Sequence, residues 1–93
     1  MKPFTQEHIN ESVEIRTFSV NIDEMELKWH WDEESRWVEP LNKNDWQFQF
    51  DNELPVMINK QIYIPAGVMH RVIKGTTDLI VKIIKDNETH TDI

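Results

Sequence analysis

Cysteine is absent from this sequence, which excludes a disulfide framework and a thiolate metal cage. Its absence agrees with the cytoplasm as the expected compartment. The opening residues, MKPFTQEHINESVEI, contain no apolar stretch of signal-peptide kind. Nowhere does a run approach the roughly 20 apolar residues that span a bilayer, so no membrane partner is expected. Cations are in the minority, with 10 Lys and Arg against 17 Asp and Glu and a formal net charge of −7. A phosphate backbone would repel such a chain, so nucleic acid is not an expected partner. Repeats, low-complexity segments and linkers are missing as well. The 93 residues make one domain. A domain this small leaves much of its surface wet, and a metal, a partner or a dimer would add stability.

Helix signals are scarce too. Thr5 offers a cap for a single helical turn through Ile9, although Pro3 and the β-rich context count against it. Beyond that point the pattern is β. Residues 13–20, VEIRTFSV, are rich in β-branched side chains. Residues 24–32, EMELKWHWD, alternate as a strand would. Met25, Leu27, Trp29 and Trp31 fall on one side, and Glu26, Lys28, His30 and Asp32 on the other. Further strands are predicted over 36–41, 46–51, 56–58, 61–64, 68–74 and 78–85, separated by turn residues such as NKND at 42–45 and PAG at 65–67. In the fourth of these predicted strands, Trp46, Phe48 and Phe50 alternate with Gln47, Gln49 and Asp51, and parity alone leaves open which face is inward. Seven to eight short strands without helices predict an all-β sandwich or small barrel.

Two histidines stand out against this background. In NKQIYIPAGVMHRVIK, residues 59–74, Pro65 and Gly67 set a sharp turn and His70 opens the next strand. That placement holds a ligating side chain on a rigid element just past a bend. The pattern resembles the second motif of the cupins, with Pro65, Gly67 and His70 matching and with Asn59 and Lys74 replacing the usual glycine and asparagine. KWHWDEESRW, residues 28–37, is similar to their first motif in a degenerate form. His30 matches its first histidine, Asp32 stands at the second, Arg36 at the glutamate and Lys43 at the glycine. The resemblance covers roughly 24–85. It implies a small double-stranded β-helix barrel of antiparallel strands, with a core over about 13–85, peripheral ends at 1–12 and 86–93, a metal inside one end, and a dimer.

The implied ligands are His30, Asp32 and His70, two histidines and a carboxylate of the kind that holds Fe, Mn, Ni or Zn with positions left open. Arg36 cannot coordinate a cation, because guanidinium keeps its charge and has only donors. If inward, it pairs with Asp32 or binds an anionic group on a small ligand. Lys74 shares the parity of His70 and is a second candidate for that role, and Gln47 and Gln49 are candidates to line the pocket. If His30 points inward, Trp29, Trp31 and Trp37 point outward, where an apolar patch of that size calls for cover, either the N-terminal segment or the partner of a homodimer. His8, His90 and the acids of DEE (32–34) beyond Asp32 are expected to have no role. No residue is assignable as catalytic. Three functions compete: a metal-dependent enzyme, a binding module for a small molecule, and a metal-free barrel serving as an interaction dimer.

Overall fold

The computed structural model describes residues 2–86. The expected tail and His90 lie outside the described residues, apart from Asp86 at the end of the last strand. Eight strands are present: β1 (Thr5–His8), β2 (Val13–Phe18), β3 (Ser35–Pro40), β4 (Gln47–Phe50), β5 (Val56–Met57), β6 (Ile62–Ile64), β7 (His70–Ile73) and β8 (Leu79–Asp86). All pair antiparallel, in a five-stranded sheet of order β1-β2-β8-β3-β6 and a three-stranded sheet of order β5-β4-β7. No helix among the described residues is long and apolar enough to cross a membrane.

Alternation explains which side chains form the interior. In β8, Leu79, Val81 and Ile83 are buried while Ile80, Lys82 and Ile84 between them are only partly covered. β8 lies between β2 and β3, so its inward residues meet neighbours on both sides; Ile83, for example, stands opposite Glu14 and Val38. In β4 the same rule settles the open question of faces. Trp46, just before the strand, and Phe48 within it are buried, so Gln47 and Gln49 turn away from the interior. The NKND turn is held by side chains acting as backbone partners. Asn44 accepts from the Trp46 amide, and Asn42 bonds both the Asp78 carbonyl and the Ile80 amide. Asp45 accepts from the amide and hydroxyl of Thr76, which packs Gly75 so closely that a Cβ there would fall 2.2 Å from Asp45 Oδ1.

Two local expectations were wrong. Residues 5–8 form an edge strand rather than a helical turn, because they find a full antiparallel partner in β2. Residues 24–32 are not a strand. Asp23 accepts from the Met25 amide and starts a 3₁₀ turn over Glu24–Glu26, leaving Met25 exposed. Of the nine residues only His30 makes a ladder contact, a single bridge to His70. Alternation of apolar side chains therefore occurs here without a strand, because a side-chain cap outcompetes an edge that nothing else pairs.

Candidate metal centre

His30 and His70 come together through their own backbones. The His30 amide donates to the His70 carbonyl at 3.0 Å, and the His70 amide donates back at 2.8 Å. Residues exchanging both bonds in this way present their side chains on the same face. The two imidazole centroids are 4.4 Å apart. The Pro65–Gly67 turn makes the approach possible. Gly67 has φ of 79°, its amide donates to the Asp32 carbonyl, and the neighbouring Ala66 amide donates to Ser35 Oγ. The second motif is thereby tied to the first on both sides of Asp32 and Ser35.

Both rings are held in one tautomer. His30 Nδ1 lies 2.9 Å from the Lys28 carbonyl, and His70 Nδ1 lies 2.9 Å from the Val68 carbonyl. A carbonyl only accepts, so each Nδ1 carries the proton, and in a neutral ring Nε2 is left with its lone pair. Stacking on Phe48 further fixes the His70 ring. Asp32 Oδ2 lies 3.3 Å from His70 Nε2. Two lone-pair atoms converging at that distance are suited to sharing a positive species such as a metal ion. The ligand atoms of His30, Asp32 and His70 all lie within 4.8 Å of one another. With Nδ1 bonded to a backbone carbonyl in each histidine, the donor set is one that could hold a divalent metal, with outer support for both rings.

Arg36 is the unusual member. It is 7% exposed, and its Nε lies 3.8 Å from Asp32 Oδ2, an ion pair too long to be a hydrogen bond. Nε is buried without any hydrogen-bond partner among the described residues. Leaving a buried donor unpaired costs about 1–3 kcal/mol, and more when it is charged. The Asp32 carboxyl is held below its ordinary range, chiefly by bonding to His70, against the opposing effect of burial and with help from the Arg36 charge. The carboxylate form needed for ligation is thus the favoured one.

These groups border a cavity of about 400 Å³ between the sheets, whose walls include Val38, Phe48, Ile64, Val81 and Ile83. Lys74, Gln47 and Gln49 do not line it. The Lys74 ammonium donates to the Ile22 carbonyl, and Gln49 is engaged by Arg71 and the Glu53 carbonyl. Arg16 and Lys28 do line it, although sequence reasoning passed over both. Arg16 was legible in principle, since it shares the parity of Phe18 in β2. Its charge is engaged by the buried Glu14, whose carboxyl burial would raise but which Arg16, with help from the charges of His8 and Lys85, holds below its ordinary range.

The three tryptophans do not share one face. Arg36 and Val38 line the cavity, so Trp37 between them faces out from the five-stranded sheet, where it packs on Tyr63. His70 and Val72 also line the cavity, so Arg71 faces out from the other sheet, and Trp29 stacks on it at 4.6 Å. Trp31 is 55% exposed. Residues 27–34 cross from one sheet to the other, so parity within them does not define a single outer surface.

No protein-family model and no curated protein matches the chain. Solved structures do. DMSP lyase DddQ from Ruegeria pomeroyi DSS-3 superposes with a TM-score of 0.73 at 10% identity, over 97% of this chain and 50% of that one. A cupin domain from Bordetella pertussis Tohama I superposes with a TM-score of 0.59 at 19% identity, over 92% of this chain and 97% of that one. The fold is that of a small cupin. A putative mannose-6-phosphate isomerase from Ralstonia eutropha JMP134 superposes with a TM-score of 0.60 at 14% identity, over 89% of this chain and 82% of that one. The chain spans half or less of the DMSP lyase chains it resembles, 50% of DddQ and 40% of another.

Proposed function

We propose that this cupin is a divalent-metal protein that takes a small molecule into its barrel. His30, Asp32 and His70 would hold the ion. The observation that carries the reading is the convergence of His70 Nε2 and Asp32 Oδ2 at 3.3 Å, beside a second histidine held in the same tautomer. A bound Fe, Mn, Ni or Zn ion would supply a Lewis-acidic centre at the cavity wall. Arg36 would orient an anionic group on the ligand. The names of structurally similar proteins include a lyase and an isomerase, so the fold supports a choice of chemistry without making it. A cytoplasmic location belongs to the same reading, supported by the absence of cysteine.

The test is metal content of the untagged protein, as purified and after incubation with Fe(II), Mn(II), Ni(II) and Zn(II). About one ion per chain is expected. Less than about a tenth of an ion per chain would favour the metal-free alternative, in which the Asp32–Arg36 pair and a proton on His70 satisfy the site.

Self-association is part of the proposal. Trp37 and Tyr63 remain partly exposed on the outer face of the five-stranded sheet, with Ile84 beside them, an aromatic surface of the kind enriched at interfaces. Sedimentation should report a dimer for the native chain and a monomer for Trp37→Lys. A dimer unchanged by that substitution would move the interface elsewhere.

A further inference from the structure

The Arg36 guanidinium has five donors, and its Nε is buried without a hydrogen-bond partner among the described residues. It is more than nine-tenths buried and lines the cavity. Of the other cations that line the cavity, Arg16 is engaged by Glu14 and Lys28 is exposed to solvent, so Arg36 is the buried one without such a partner. The walls beside Arg36 are aliphatic, among them Val38, Ile64, Val81 and Ile83. A buried planar fork of donors facing an apolar chamber is complementary to a molecule with one flat anionic head and a hydrocarbon body.

We propose that the barrel binds an aliphatic monocarboxylate head-first, its carboxylate on Arg36 and its chain along Val38, Ile64, Val81 and Ile83. This deepens the reading of the barrel as a small-molecule site and does not depend on the metal. A carboxylate matches the guanidinium with two parallel hydrogen bonds, and low local polarity strengthens them. A phosphate fits less well. It carries more charge and more acceptor sites than one guanidinium can satisfy, and Asp32 already places a negative charge 3.8 Å from Arg36 Nε. The chain of the ligand would fill apolar volume that otherwise leaves the core residues short of contacts.

The experiment uses the full chain, both as purified and after dialysis against a chelator, titrated calorimetrically with octanoate, octan-1-ol and hexyl phosphate. Octanoate should bind about tenfold or more tightly than octan-1-ol, the gain expected for hydrogen bonds to a charged group. Along the series butanoate, hexanoate and octanoate, each methylene should tighten binding about fourfold until the cavity is full. In Arg36→Met the preference for octanoate should vanish while octan-1-ol still binds, which shows the chamber intact. Equal affinities in the native chain, a preference that survives Arg36→Met, or tighter binding of hexyl phosphate would each overturn the proposal. Because the chelated protein is tested separately, loss of the metal reading and loss of this one are told apart.

Discussion

Replacing His70 with alanine should lower metal affinity by more than the 10–100-fold typical of losing an outer supporting residue. His70 contributes more than one ligand atom to the arrangement. Its ring also lies against the Asp32 carboxylate and is the largest influence holding that carboxyl below its ordinary range. Without the imidazole, Asp32 is left with Arg36 as its nearest charged neighbour, and His30 and Asp32 alone make an incomplete site. Equilibrium dialysis with Zn(II) measures the change. His70 is buried, so His30→Ala, which alters an exposed side chain, is the companion variant, and it should show a similar loss with less effect on folding. Stoichiometric metal that survives both substitutions would mean that other ligands are used.

The second large effect concerns the fold. Trp46→Ala should destabilise the domain by about 3–5 kcal/mol, the range for truncating a buried large aromatic side chain. Trp46 is 0% exposed and packs on Phe18, and its indole nitrogen donates to the Thr77 carbonyl. The substitution would open a hole beside a chamber that is already hollow and would leave that carbonyl unpaired. A domain of this size has a total stability of roughly 5–15 kcal/mol, so the variant should be near the edge of folding. Its urea midpoint should fall by at least about 1 M. A midpoint within a few tenths of the native value would show that the interior collapses around the gap.

Much of the architecture was legible from residue pattern because burial in a β-barrel is local. The apolar run over 78–85 was legible as a strand, whereas the inward set of Leu79, Val81 and Ile83 within it is shown only by their burial. Pro65, Gly67 and His70 were legible for a similar reason: a turn with a left-handed glycine is a short-range requirement. The segment 24–32 misled for the opposite reason. Its alternation is real, but pairing depends on a partner strand, and Asp23 supplies a closer competitor for the backbone. The tryptophans misled likewise, because residues 27–34 cross between sheets and carry Trp29 and Trp37 to opposite faces.

The sequence by itself determined the class of fold, and its resemblance to the two cupin motifs implied the pairing of a His-x-Asp stretch with a later histidine and the placing of Arg36 where a ligand usually stands. Periodicity and turn chemistry are properties of neighbouring residues, so they survive without coordinates. Tertiary structure alone decided that His30 and His70 face each other across a bridge, that both rings turn Nδ1 to a carbonyl, and that Lys74, Gln47 and Gln49 stand apart from the cavity. These are relations between residues as many as 52 positions apart, set by sheet register and by which side-chain donors find acceptors, and no local pattern encodes them. The lack of a hydrogen-bond partner at Arg36 Nε is of the same kind. Its charge is written in the sequence, but only the packed barrel buries it at the cavity wall, 3.8 Å from Asp32.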